Sequence, residues 1–185
     1  MEFEEGEGHS FGRSVPLFLL HFQHALDQRL PPGAAKILPV DPQRAWLADN
    51  TTWHDGIAKI LPAAGFQGDA THLSWLLDGD VAYVYRGVAT YGNPLLLART
   101  AGHGVEYFAD EPVVMECADF GAGEWKSVAL YDGSKRIAEI TPRRPRVALP
   151  AQKPGVHAGV LIGERPDGSL RTSWPVAWIV RPVLE

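Results

Sequence analysis

Apolar residues change their spacing part-way along this chain of 185 residues. Up to about residue 70 they recur at helical intervals, and beyond it they alternate with polar ones. Phe18, Leu19, Phe22, Ala25 and Leu26 fall on one face of a helix that Ser14 would cap and Pro16 would open. Pro31-Pro32-Gly33 would stop it. That face is expected to meet the core, with His21, His24 and Gln28 on the far side. Asp41-Pro42 predicts a second, short helix bearing Trp46 and Leu47. Thr52-Trp53-His54-Asp55 has the Thr cap and N3 acid of a capping-box variant. It predicts a third helix through Ile57, Ile60 and Leu61, ended by Pro62 and Gly65.

Strands are expected from there on. Thr71 to Val88 reads as a hairpin closed at Asp78-Gly79-Asp80, because Val81, Tyr83 and Tyr85 alternate with Ala82, Val84 and Arg86. Leu95–Ala98 and Val105–Phe108 are further short strands. Pro112–Ala118 fits a strand or a helix capped by Asp110. Asp132-Gly133 supplies the pair of residues that a type I′ turn needs. With those two at the tip, Lys135 pairs with Leu130, Ile137 with Val128, Glu139 with Lys126, and Trp125 with Ile140. Arg165-Pro166-Asp167-Gly168-Ser169 joins Ala158–Glu164 to Leu170–Trp174, with Pro166 and Gly168 at turn positions. Pro175 and Pro182 bracket Val176–Val180 and suggest an edge strand or a bulge. The sum is an α+β fold: two or three N-terminal helices on a mainly antiparallel, hairpin-built sheet, with a barrel or a sandwich as its closed forms. Residues 1–13, acidic and Gly-rich, form a flexible arm, and 14–185 one domain.

Composition narrows the function classes. The apolar share of 45% and charged share of 21% are ordinary for a globular domain. A formal net charge of −5 argues against a nucleic-acid partner. Pro142-Arg143-Arg144-Pro145-Arg146 is the one basic run, read as a solvated turn between strands. Val15–Leu20 is too short to span a bilayer, so no membrane role is expected. The single Cys117 fits a reducing compartment, hence a cytoplasmic protein. Arg well above Lys, with abundant Ala, Gly and Pro, suggests a bacterial origin.

Candidate chemistry is sparse. His103, flanked by glycines, stands near Glu106, Asp110 and Glu111, where imidazole and carboxylate could exchange protons or hold a metal. In a strand, however, His103 and Glu106 point to opposite faces. His21 and His24 are one helical turn apart, a spacing read first as a polar helix face. Cys117 lies among acids and reads as a structural thiol rather than a nucleophile. There is no phosphate-cradling glycine loop, no nucleophile elbow and no paired-cysteine motif, so no cofactor and no metal are expected. Of six tryptophans, Trp125 and Trp174 adjoin polar residues and are the candidate ligand or partner surface.

Two resemblances use overlapping residues. Tyr85-Arg86-Gly87, followed by Gly104-Val105-Glu106-Tyr107-Phe108-Ala109-Asp110, resembles the strands of ADP-ribosyltransferase-like folds. That would imply an NAD-dependent enzyme with a cleft around Arg86, His103 and Tyr107, and with Glu106 beside it. Leu73-Ser74-Trp75, Tyr83-Val84-Tyr85-Arg86-Gly87 and Tyr107-Phe108-Ala109-Asp110 look like a fibronectin type III sandwich. Without a complete catalytic set, the expected function is binding to another protein, in an inhibitory or immunity-like role, through a mildly acidic surface suited to a basic partner.

Overall fold

The computed structural model describes residues 12–49, 51–52, 56–90, 92–99 and 106–183. Along the chain come α1 (Val15–Arg29), a 3₁₀ turn (Pro42–Arg44), β1 (Trp46–Asp49), β2 (Ile60–Pro62), β3 (Leu73–Leu76) and α2 (Gly79–Ala89). Then follow β4 (Leu96–Arg99), β5 (Glu106–Phe108), β6 (Val114–Asp119), β7 (Ser127–Asp132), β8 (Lys135–Ile140), β9 (Arg146–Ala148), β10 (Gly155–Glu164), β11 (Leu170–Thr172) and β12 (Val176–Arg181).

The main sheet runs β5-β12-β10-β7-β8, with β11 also paired to β10. Two three-stranded sheets, β2-β1-β3 and β4-β6-β9, complete the set. Pairing is antiparallel except between β5 and β12, and the described strands close no barrel. The fold is thus α+β and mainly antiparallel. No described helix is long and apolar enough to cross a membrane.

β10 is buried on both faces because successive side chains point to opposite sides. Leu161 faces one core, with Leu97, Met115 and Cys117 of the β4-β6-β9 sheet and Val128, Leu130, Ile140 and Trp178 of the main sheet. Ala158 faces the other, with Leu17 and Leu20 of α1 and Val81, Val84 and Val88 of α2. The main sheet therefore separates a sheet-on-sheet core from a helix-on-sheet core. Gly87 of α2 lets that helix sit close: a Cβ there would lie 2.8 Å from the Ser173 carbonyl.

Several sequence expectations change here. Thr71–Val88 is not a hairpin. Asp78 is the N-cap of α2, its Oδ1 accepting from the Val81 amide at 3.1 Å. Asp78-Gly79-Asp80 thus starts a helix instead of reversing a strand, and burial of Val81, Val84 and Val88 overrides the β preference of Tyr83-Val84-Tyr85. Among the described residues α1 is the one α-helix ahead of the strands. The helix expected over Thr52–Leu61 gives way to a loop and β2; Gly56 takes φ 124°, outside any helix interior. Trp53, His54 and Asp55 lie outside the described residues. Trp46 and Leu47 belong to β1, after the 3₁₀ turn that Asp41 caps.

The Asp132-Gly133 hairpin forms with its tip one residue later. Asp132 pairs with Lys135 around Gly133-Ser134. Gly133 takes φ 54° and Ser134 a negative φ, as a type II′ turn requires instead of I′. A bulge at Leu130/Tyr131 then sets Val128 opposite Ile140. The Arg165–Ser169 turn joins β10 to β11, with Gly168 at φ 82°. Pro112–Ala118 resolves as strand β6. β12 is an inner strand; Pro175 and Pro182 stand just beyond its ends, where no ladder donor is lost.

Candidate functional site

α1 departs most from its sequence pattern. Its buried residues are Pro16, Leu17 and Leu20, while Phe18 is 66% and Phe22 56% exposed. Val15, Leu26 and Leu30 extend the exposed stripe. The two phenyl rings stack, centroids 6.2 Å apart and 11° from parallel. Spaced three or four residues apart, these side chains make one ridge along the helix. The expectation that this face meets the core therefore fails for Phe18, Phe22 and Leu26, although Ala25 packs against the helix-on-sheet core.

The polar edge of α1 is turned inward. His24 Nδ1 lies 2.8 Å from Asp78 Oδ2, and Gln28 Nε2 donates to the same oxygen at 3.1 Å. Asp78 is thus held by a helix cap on one oxygen and by α1 on the other. Two residues on, Asp80 Oδ1 accepts from the Ser134 amide at 2.9 Å and from its hydroxyl, fixing α2 to the tip of the β7–β8 hairpin. The hydrogen bond to Asp78 raises the His24 pKa against the opposing effect of burial. Burial works against the Asp78 charge, but His24 and the Val81 amide outweigh it and lower its pKa. His21, which lacks such a bond, is shifted down by burial.

A second histidine–aspartate pair lies on the main sheet. His157 Nδ1 is 2.9 Å from Asp132 Oδ2, and Nε2 is 2.8 Å from the Lys153 carbonyl. Both partners are acceptors, so the arrangement favours the imidazolium, in which both ring nitrogens donate. Burial opposes that charge, yet the Asp132 bond and charge raise the pKa overall. The ring stacks on Trp178 at 5.4 Å. With both nitrogens committed, His157 is built for structure. His24 Nε2, by contrast, has no partner among the described residues.

The residues singled out in the sequence do not converge. Arg86 is on α2, its Nε donating to the Ala58 carbonyl at 3.1 Å and its guanidinium 5.5 Å from the Tyr83 ring. Tyr107 is buried in the sheet-on-sheet core, across the main sheet from α2. Glu106 is exposed and paired with Arg181 at 2.8 Å. His103 lies outside the described residues. Trp125 donates to the Phe120 carbonyl at 2.8 Å with the Arg165 guanidinium 4.5 Å over its ring, and Trp174 carries Arg13 at 4.3 Å. In each an arginine already covers one ring face. Cys117 is buried, and burial pushes its thiol up to about 11, as expected of a structural cysteine.

Sequence reasoning missed Asp78 and Asp80 as anchors of α1 and of the hairpin. The one available signal was Asp78 itself, three residues before Val81, where a helix cap belongs.

No protein-family model matches the chain, and no curated protein matches it. Among solved structures, the fibronectin(III)-like modules of Clostridium thermocellum CbhA align at 13% identity with a TM-score of 0.41, over 49% of this chain and 48% of that one. CopC from Methylosinus trichosporium OB3b aligns at 14% identity with a TM-score of 0.31, over 49% of this chain and 97% of that one. The chain spans about half the length of the first of these. Both likenesses are too distant to carry an argument about function. The fibronectin and ADP-ribosyltransferase resemblances both used Tyr85-Arg86-Gly87 as strand; these residues lie in α2, so neither is realised on them.

Proposed function

We propose that this is a bacterial, cytoplasmic binding protein that docks a partner protein on the outer face of α1. The observation that carries the reading is the stacked, exposed Phe18–Phe22 pair on a helix whose polar edge is committed to Asp78. An exposed apolar stripe of this kind marks an interaction surface. Aromatic anchors suit the centre of a protein interface. A lipid surface is a poorer occupant, since membrane-lying helices carry many cations on their polar face. On α1 that face is His21, His24 and Gln28, and Arg29 is the helix's only Lys or Arg. Nucleic acid is disfavoured by the net charge of −5. An inhibitory or immunity-like role is the form of binding that needs no chemistry from this chain.

The test compares the wild type with a Phe18→Ser/Phe22→Ser variant as bait in native host extract, with light scattering of the purified proteins. The wild type is expected to capture a stoichiometric partner. The variant, folded to the same extent, should bind it about 100-fold more weakly, as loss of two aromatic anchors implies. Capture unaffected by the variant, or no stoichiometric partner, would overturn the reading. A homodimer that the variant dissolves would also replace it, with a second copy as the occupant.

A further inference from the structure

The junction between α1 and α2 has donors left over after its structural work is counted. His24, Asp78 and Asp80 each offer a ligand atom, and these atoms all lie within 4.8 Å of one another. They come from two separate helices, so the grouping is a tertiary one and not a local acidic run. The second observation is Gln28. Its Oε1 is shut off from solvent and has no hydrogen-bond partner, although its Nε2 rests on Asp78 Oδ2. A buried amide oxygen without a donor is costly unless something electropositive meets it.

The spacings are close to those around one ion. Tetrahedral ligands about 2.1 Å from a zinc ion sit about 3.4 Å apart, so these donors must part slightly when it enters. His24 Nδ1 stands 2.8 Å from Asp78 Oδ2. Gln28 now turns Nε2 and not Oε1 to Asp78; a half-turn of the amide would bring its oxygen to that place, 3.1 Å from the same carboxylate oxygen, and put Nε2 in the buried one. Asp80 is held through Oδ1 by Ser134, which orients the carboxylate and leaves Oδ2 without a donor among the described residues. The His24 side chain is 22% exposed, so solvent reaches the cluster.

We infer that His24, Asp78, Asp80 and the Gln28 amide oxygen form a site for a divalent transition-metal ion, joining α1 to the start of α2. One imidazole among oxygen ligands favours Zn²⁺ over Mg²⁺ or Ca²⁺, which take oxygen almost alone. When the ion enters, His24 Nδ1 would release its proton to solvent, give up its hydrogen bond to Asp78 and bind the metal. Bound there, the ion would brace α1 in the orientation that exposes Phe18 and Phe22. The site itself stands apart from the partner-binding reading and is tested without any partner.

The experiment is a calorimetric titration of the full chain with Zn²⁺ in a non-chelating buffer, repeated with Mg²⁺ and with the variants Asp80→Asn and His24→Gln. Asp80→Asn keeps an oxygen for Ser134, so the α2–hairpin contact survives while the ligand charge is lost. One Zn²⁺ per chain is expected, with at least tenfold weaker binding in each variant and weaker binding of Mg²⁺ to the wild type. Thermal melts should show the wild type stabilised by Zn²⁺ and Asp80→Asn little changed by it. Absence of a stoichiometric Zn²⁺ site would overturn the assignment. So would affinity unchanged by both substitutions, which would place the ion on other histidines.

Discussion

Trp178→Ala is expected to destabilise the protein by about 3–5 kcal/mol, the range for emptying a large aromatic from a closed core. Trp178 is 0% exposed at the centre of β12. It fills the space left over Gly159, where a Cβ would lie 3.1 Å from the indole, and it stacks on the His157 ring within the sheet-on-sheet core. Removing it opens a cavity between the two facing sheets and takes the stacking partner from the half-buried His157 ring. The measure is urea unfolding, with a lower midpoint at an unchanged slope. Trp178→Phe should cost far less, about 1 kcal/mol. It keeps a ring and removes an indole N–H that is buried without a partner. Equal losses for the two variants would show that ring volume does not govern this site.

Asp78→Ala comes next, at about 2–4 kcal/mol. The cap of α2 contributes roughly 0.5–2 kcal/mol of this. The rest comes from leaving His24 and Gln28 without their acceptor at a half-buried junction. Asp78→Asn separates the two parts: asparagine caps a helix as well as aspartate does. That variant should lose only about 1 kcal/mol, with the loss of charge opposite His24. Urea titration of both variants checks the order. An Ala variant no worse than Asn would mean that α1 is not held through Asp78.

The β half of the chain was legible because alternation and turn chemistry report local geometry. Gly168 and the Asp132-Gly133 pair each marked a reversal that forms. The hairpin register was not legible, since whether Asp132 or Gly133 leads the turn depends on Asp80 reaching Ser134 from another element. The same holds for α2. Asp78-Gly79-Asp80 is equally a turn and a cap, and the choice is made by burial of Val81, Val84 and Val88 beneath α1 and against β10. The orientation of α1 was read backwards for a related reason. An apolar stripe is assumed to seek the core, whereas here a buried carboxylate on α2 recruits the polar edge instead. The candidate site was therefore hidden, because its α1 members lie fifty or more residues from Asp78 and meet it only through that inversion.

That inversion is the central claim, and thiol labelling of α1 tests it directly. Cysteine at Phe22 is compared with cysteine at Leu17 in the purified protein at low concentration, where native Cys117 is buried and slow to react. The account predicts that Phe22→Cys reacts at the rate of a free thiol and Leu17→Cys at least about 100-fold more slowly, through local opening alone. Protection at residue 22 with ready reaction at residue 17 would contradict it.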